Sequence, residues 1–168
     1  MICSIRDVVF GKIFTKKGKD VVGTRSITVV HDEDIGKLVA MYRQFDGYPE
    51  GHGRELLNFL SEFKIVNGIP LEAMLKGREM LKVANGMGCL AAQIVAHFKD
   101  EHGIGGIYLV PEQQDLIDYT YIISGKAHTP LIMLVYEWWK YNEENKPIFE
   151  GSLVEFAQYL EKLEAVNV

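Results

Sequence analysis

The chain has 168 residues, a length that predicts one domain large enough to bury a hydrophobic core. Its composition, 48% hydrophobic and 24% charged, is close to that of an average soluble globular protein. The net charge of -5 is uneven: residues 1–22 hold five basic and two acidic residues, and the rest hold 13 basic and 21 acidic residues. Because non-specific nucleic-acid binding needs a basic surface, the acidic body argues against a nucleic-acid partner.

Cysteine and histidine usage argues against disulfide and metal frameworks. Cys3 and Cys89 are too few for either a disulfide set or a zinc site, so a cytoplasmic location is expected. The five histidines show no ligand spacing, and we predict neither a metal nor a cofactor. The longest apolar run, residues 131–136, is far shorter than the roughly 20 residues that span a bilayer, so no membrane partner is expected.

Residues 1–22 mix apolar pairs with a lysine cluster and show no sustained periodicity. A basic interaction arm is one interpretation of this segment. A disordered extension, or residues that are not native to the protein, is the favoured one, because termini are rarely ordered unless they are tied down. Residues 23–168 then form the single folded domain.

The first part of that domain is predicted to be a hairpin followed by a helix. Residues 24–30 and 37–45 alternate like strands, and a polar turn ending at Gly36 joins them. After a second turn, apolar residues recur with helical spacing from Leu56 to Phe63, and Asn67-Gly68 is expected to end the helix.

The second part is predicted to hold two more helices, three strands and a final helix. Residues 70–81 form a looser helix and residues 87–99 a stronger one, and short strands follow at residues 107–110, 119–124 and 131–136. Ser152 and Glu155 have the spacing of a capping box that opens the last helix. The order β-β-α-α-α-β-β-β-α predicts an α+β fold with an antiparallel sheet of about five strands and helices packed on it.

The turn from Asp46 to Gly53 is the best candidate site. Its three glycines allow close approach of a ligand to the backbone, and the helix that follows offers its N-terminus to an anion. Turn chemistry alone explains most of these residues, so a purely structural turn is the stronger interpretation. The ligand-binding candidates are Arg25, Arg43, Asp46, Tyr48, Gly51, His52 and Gly53.

Two further motifs carry alternative interpretations. Residues 81–85 lead into Gly86-x-Gly88-x-x-Ala91, with Glu112 21 positions later, which matches a dinucleotide-binding fingerprint. Because this unit stands alone in mid-chain and is followed by hairpins, a helix with small residues at its packed start is preferred. The aromatic pair Trp138 and Trp139 could line a subunit interface, although a core position at the sheet edge is slightly favoured.

The residues Gly23-Thr24-Arg25-Ser26 and the turn Phe45-Asp46-Gly47-Tyr48-Pro49-x-Gly51-x-Gly53 resemble a loosely defined group of small bacteriophage and prophage proteins. The resemblance covers about 30 residues and implies a phage origin, with host cytoplasm as the location, but no particular activity. Members of that group begin Met-Gly-Thr-Arg, which places Val22 at the position of their initiator. Residues 1–22 are therefore expected to be an extension or a misassigned start.

Three functions follow from these observations. The first is a non-catalytic, phage-type accessory protein that binds a small anionic ligand, such as a nucleotide, or a host protein. The second is a small hydrolase that uses Asp46 and His52 with a tyrosine as acid and base. The third is an assembly protein, in which Trp138 and Trp139 form the surface of a homo-oligomer or another interface.

Overall fold

The computed structural model describes residues 23–68, 83–101, 106–111, 117–137 and 146–166. Four of the predictions above fall wholly or partly outside these residues: the N-terminal extension at 1–22, the helix at 70–81, the surface formed by Trp138 and Trp139, and Glu112 of the dinucleotide-binding fingerprint. Within the described part of the chain, no helix is both long enough and apolar enough to cross a membrane.

The described residues contain eight strands and three α-helices. The strands are β1 Ser26–Asp32, β2 Gly36–Arg43, β3 Lys64–Val66, β4 Val83–Asn85, β5 Ile107–Leu109, β6 Tyr119–Gly125, β7 Ile132–Glu137 and β8 Phe149–Ser152. The helices are α1 Arg54–Leu60, α2 Gly86–Glu101 and α3 Leu153–Val166, and one turn of π-helix, Pro49–Gly53, leads directly into α1. We call this last segment the π turn.

Six strands form the main sheet, in the order β5-β2-β1-β6-β7-β8, and β3 pairs with β4 in a second sheet. The prediction of a mixed helix-and-sheet domain is confirmed, but the all-antiparallel sheet of about five strands is wrong. β1 and β6 run parallel, and so do β3 and β4. A long stretch of chain, which includes α1, α2 and β5, separates β1 from β6. β6 can therefore lie beside β1 in either direction, and the alternation of residues within a strand does not reveal that direction.

The remaining differences from the predicted order concern short elements. α1 ends at Leu60 rather than near Asn67, and β3 occupies residues that the predicted helix would have included. The predicted order does not include β3 or β4, which have three residues each, too few for an alternating pattern to be distinguished from a helix end. β5 lies within the predicted strand at residues 107–110. β8 includes Gly151 and has one large apolar side chain, so its sequence does not resemble a strand.

The longer elements agree with their sequence patterns. β1 and β2 form the predicted hairpin, with Ser26 opposite Arg43 and Val29 opposite Ala40. The capping box opens α3: the main-chain amide of Glu155 donates to Ser152 Oγ at 3.3 Å, and the Ser152 amide donates to the Glu155 carboxylate at 2.8 Å. These hydrogen bonds satisfy amide groups that the first turn of a helix leaves without partners.

The main sheet separates two hydrophobic clusters. On the inner face, α1, α2 and α3 contribute buried side chains such as Leu56, Phe98 and Phe156 to a core that includes Val30 and Tyr121 of the sheet. The outer face carries a smaller cluster, which consists of Ile27, Val29, Ala40 and Ile117 with Tyr42, Val110 and Ile122 packed against it. Alternation along β1 therefore places Ser26 and Thr28 on the inner face, under the π turn.

Candidate functional site

Main-chain hydrogen bonds tie the candidate turn to the residues just before β1 and also close the turn on itself. The Gly47 amide donates to the Thr24 carbonyl at 2.9 Å, and the His52 amide donates to the Asp46 carbonyl at 2.8 Å. Asp46 has a φ of 55°, a left-handed conformation that Asp tolerates better than most residues. The turn thus has one defined shape, which places His52 over the inner face of the sheet.

Two glycines of the turn are required by close packing rather than by a ligand. A Cβ atom at Gly51 would lie 2.5 Å from the Asp46 carbonyl oxygen. At Gly53 it would lie 3.2 Å from the ring of Phe156 and 3.3 Å from the ring of Tyr121. The space beside these glycines, in which the sequence predicts a ligand, is therefore filled by other atoms of the protein.

His52 is buried, with 2% of its surface exposed, and its two ring nitrogens face different partners. Nδ1 lies 3.0 Å from NH1 of Arg43, and Nε2 lies 2.8 Å from Oγ1 of Thr28. Because an arginine nitrogen can only donate, Nδ1 accepts, and the ring proton of a neutral His52 is on Nε2, which donates to Thr28. Both nitrogens are used to join the turn to β1 and β2.

Arg43 continues this polar chain to Glu55 at the start of α1. Its guanidinium group forms a two-pronged ion pair with the Glu55 carboxylate, and Nε donates to the Phe45 carbonyl at 2.7 Å. Burial alone would raise the pKa of Glu55, but the contacts with His52 and Arg43 outweigh it and lower the pKa to about 2. We call Thr28, His52, Arg43 and Glu55 the buried polar chain.

Aromatic side chains enclose His52. The rings of Phe98 and Tyr121 meet the imidazole edge-on, with centroids 5.2 and 5.5 Å away. Burial raises the pKa of Tyr121 well above its ordinary value, so the hydroxyl keeps its proton and donates to the Gly47 carbonyl at 2.8 Å. Thr28 and His52 would otherwise suggest an activated nucleophile, but this packing separates them from solvent.

The structure therefore divides the predicted site residues into groups. Arg43, His52 and Gly53 are brought together beneath the turn and contact other parts of the protein. Asp46 and Tyr48 are on the exposed side, and Asp46 contacts His52 through its carbonyl group. The carboxylate beside the imidazole belongs to Glu55, whose Oε2 is 3.7 Å from Nδ1, so the predicted pairing of Asp46 with His52 is replaced by a different one.

Arg25 is not part of the buried polar chain. It directly precedes β1, and alternation along the strand places it on the side of the outer face. Its main-chain amide donates to Asp118 Oδ2 at 2.6 Å. Its side-chain Nε is buried, and no described residue accepts a hydrogen bond from it. Nearly all buried polar atoms in proteins have a partner, so an unpaired arginine nitrogen requires an explanation.

Two tyrosines of the outer face accompany Arg25. Tyr42 stands directly opposite Tyr108 in the pairing of β2 with β5, and their ring centroids are 6.3 Å apart. The Tyr42 hydroxyl donates to Oε1 of Gln44. Burial, Asp118 and Tyr108 raise the pKa of Tyr42, and the positive charge of Arg25 opposes them, which places Arg25 within electrostatic range of this hydroxyl. We call Arg25, Tyr42, Tyr108 and Asp118 the Arg25 patch.

No protein-family model matches this chain, and comparisons with curated proteins and with solved structures give no significant match. The functional interpretation therefore depends on the geometry of the molecule. Among the described residues, no group of three or more histidine, cysteine, aspartate or glutamate side chains is arranged to bind a metal ion.

Sequence reasoning missed Thr28 and Glu55, which hold the two ends of the buried polar chain. Thr28 is a polar residue at an inner position of an apolar strand, and Glu55 comes three residues after His52, on the same side of the turn and helix. Each is a weak signal alone. Together with His52 they predict a polar link between strand and helix, which is what the structure contains.

Proposed function

We propose that the protein is a non-catalytic accessory protein of phage type that binds a small anionic ligand, and that Arg25 provides the positive charge. The observation that carries the proposal is the buried Nε of Arg25, which lacks an acceptor among the described residues. Arg25 as a whole is only partly buried, so an anion can approach its guanidinium group, act as an acceptor and offset its charge. The phage assignment depends on the resemblance of the turn sequence.

Arg43, the second predicted cation, is a poor alternative. It is only 7% exposed, and the Glu55 carboxylate already neutralises it. An anion would have to displace Glu55 and break the contact with His52. The ligand is therefore assigned to the outer face rather than to the turn at residues 46–53.

A hydrolytic function is less well supported. The one histidine of the turn is sealed beneath Phe98 and Tyr121, and the hydroxyl beside it belongs to Thr28, which is 1% exposed in the middle of β1. A substrate could reach neither group without unfolding of the turn. The buried polar chain is better explained as the support that holds the turn in place.

Titration of the purified protein with inorganic phosphate and adenosine 5′-monophosphate, followed by calorimetry and thermal unfolding, tests the proposal. A ligand that binds only the folded state adds about 2.7 kcal/mol at a hundred times its Kd. We expect Arg25→Gln to lose this stabilisation and Arg54→Gln to retain it, since Arg54 pairs with Glu164 elsewhere on the surface. Equal responses in the two variants, or no response in the wild type, would contradict the proposal.

A protein partner is the second candidate, and the exposed side of the turn favours it. Phe45 and Tyr48 are 41% and 39% exposed on a segment whose backbone is fixed. Rigid aromatic side chains are the residues that most often anchor a protein interface. A photo-crosslinking amino acid at position 45 should give one defined adduct in host cells, and the same group at Ile35, which is also exposed, should not.

A further inference from the structure

We infer that the anion bound at Arg25 carries a planar aromatic group, which stacks on Tyr108. This inference rests on the proposed function and adds the class of ligand to it. The phosphate or carboxylate would meet the Arg25 guanidinium group, and the flat group would lie along the outer face toward β5. A nucleotide and an aromatic carboxylate share this chemistry.

The arrangement of the sheet provides the first argument. β5 is the edge strand next to β2, and the register that pairs Tyr42 with Tyr108 puts both side chains on the outer face. Tyr42 is half-buried between the cluster beneath it and Tyr108, whereas the Tyr108 ring is 47% exposed. The patch therefore has an inner aromatic ring that is held in place and an outer ring that solvent or a ligand can reach.

The orientation of the two rings provides the second argument. Their planes are inclined by 44°, so the two rings do not stack face to face on each other. Lys99 extends from α2 around the edge strand and places Nζ 5.2 Å from the Tyr108 centroid. This contact covers part of the Tyr108 ring and adds a second positive charge beside the site, so the ligand would stack on the part of the ring that stays exposed.

Charge provides the third argument. The body of the protein is acidic, but here Lys99 lies over the ring of Tyr108, and the positive charge of Arg25 acts on the Tyr42 hydroxyl. The nearby carboxylate, Asp118, is held by the main-chain amide of Arg25, and this contact positions the carboxylate without using the guanidinium group. A cation whose buried Nε has no acceptor among the described residues, on the same face of the sheet as a partly exposed tyrosine, suits a ligand that has both a negative and a flat aromatic end.

Two pairs of probes separate the aromatic contribution from that of the anion. Adenosine 5′-monophosphate is compared with ribose 5-phosphate, and benzoate with cyclohexanecarboxylate, each by calorimetric titration of the full chain. The phosphate pair and the carboxylate pair also distinguish the two sources of negative charge. Because stacking of a base on an aromatic side chain is worth about 1–3 kcal/mol, the aromatic member of at least one pair should bind roughly five-fold to 150-fold more tightly.

Three variants test whether the preference for aromatic probes depends on the Arg25 patch. Tyr108→Leu keeps an apolar side chain on the edge strand and should reduce the affinity ratio between the aromatic and non-aromatic probes to about one. Leu109→Ala changes the neighbouring exposed residue of β5 and should leave the preference intact. Arg25→Gln should abolish binding of both members of a pair.

Equal affinities within each pair, both lost in Arg25→Gln, would overturn the aromatic assignment and leave the proposed function in place. Absence of any binding to wild type, or binding that Arg25→Gln does not change, would overturn both.

Discussion

Thr28 in the centre of the sheet and His52 in the turn above it are joined by a hydrogen bond of 2.8 Å between Oγ1 and Nε2. Both residues are buried, and 24 positions separate them in the chain. Through His52 the contact continues to Arg43 and Glu55, so a single polar path connects β1, β2, the turn and α1. The Gly-rich turn is therefore held by side chains from three other elements, and its shape does not require a ligand.

Removing the Thr28 hydroxyl should destabilise the protein more than removing that of its neighbour Ser26. Thr28→Val leaves the N–H of His52 buried without an acceptor, which costs about 1–3 kcal/mol. Ser26 is also fully buried on the inner face, but its Oγ has no hydrogen-bond partner among the described residues. Ser26→Ala should therefore leave the free energy of unfolding within about 0.5 kcal/mol of wild type, or increase it.

Urea denaturation of the two variants, with identical slopes against denaturant, measures this difference. Similar losses in both would mean that the Thr28–His52 hydrogen bond contributes nothing beyond the packing of the side chain. A loss confined to Ser26→Ala would require a hydrogen-bond partner for Ser26 that none of the described residues provides.

Glu55 should make stability depend on pH in the acid range. Its pKa is lowered to about 2 in the folded protein, and an unfolded glutamate titrates near 4.5. The folded state binds fewer protons in this interval, so the stabilisation is fully present above pH 4.5 and is lost as the pH falls toward 2. Because the carboxylate is 36% exposed, solvent screening limits the contribution to about 1–2 kcal/mol.

Glu55→Gln removes that dependence. The free energies of unfolding of wild type and variant should differ at pH 7 and converge as the pH approaches 2. Glu161→Gln, at an exposed position of α3, is the matched control and should run parallel to wild type. A constant difference between Glu55→Gln and wild type from pH 7 to pH 2 would show that the ion pair with Arg43 does not affect the titration of Glu55.

The sequence predicts the parts of the fold that have a long repeating pattern. The hairpin of β1 and β2, the apolar face of α2 and the capping box of α3 each depend on neighbours within a few residues, and each is present. The parallel pairing of β1 with β6 depends on residues about 90 positions apart, such as Ser26 and Tyr119. No local pattern carries that information.

In the candidate site, too, local features are predictable from sequence and long-range contacts are not. The turn at residues 46–53 is recognisable because Asp, Gly and Pro have strong conformational preferences. Whether His52 faces solvent or the core is decided by Thr28, Phe98 and Tyr121, which come from distant parts of the chain. For the same reason Arg25 and Arg43, which look equivalent in sequence, differ in structure. Arg43 is neutralised by Glu55, whereas the Nε of Arg25 has no acceptor in the part of the chain that the structure describes.

Gly51→Ala should destabilise the turn. The new Cβ would lie 2.5 Å from the Asp46 carbonyl oxygen, which accepts the hydrogen bond from the His52 amide. Relief of this contact has to move backbone rather than a flexible side chain, at a cost of about 1–3 kcal/mol.

Gly88→Ala is the control: its position in α2 has nothing within 4 Å, and alanine should increase stability by up to about 1 kcal/mol. Thermal unfolding of both variants measures the difference, and equal melting temperatures would mean that the turn tolerates a shift of the Asp46 carbonyl.

Asp118→Asn should strengthen anion binding at the Arg25 patch. Oδ2 of Asp118 accepts the main-chain amide of Arg25, and an asparagine oxygen can accept the same hydrogen bond while carrying no negative charge. Loss of a like charge near the ligand should lower the Kd of an anionic probe by roughly three-fold to ten-fold at low salt, and the gain should shrink as ionic strength rises. Asp34→Asn, in the exposed turn between β1 and β2, should leave the Kd unchanged. Titration of each protein with adenosine 5′-monophosphate at two salt concentrations checks the prediction. A Kd that Asp118→Asn leaves unchanged at low salt would place the bound anion elsewhere on the molecule.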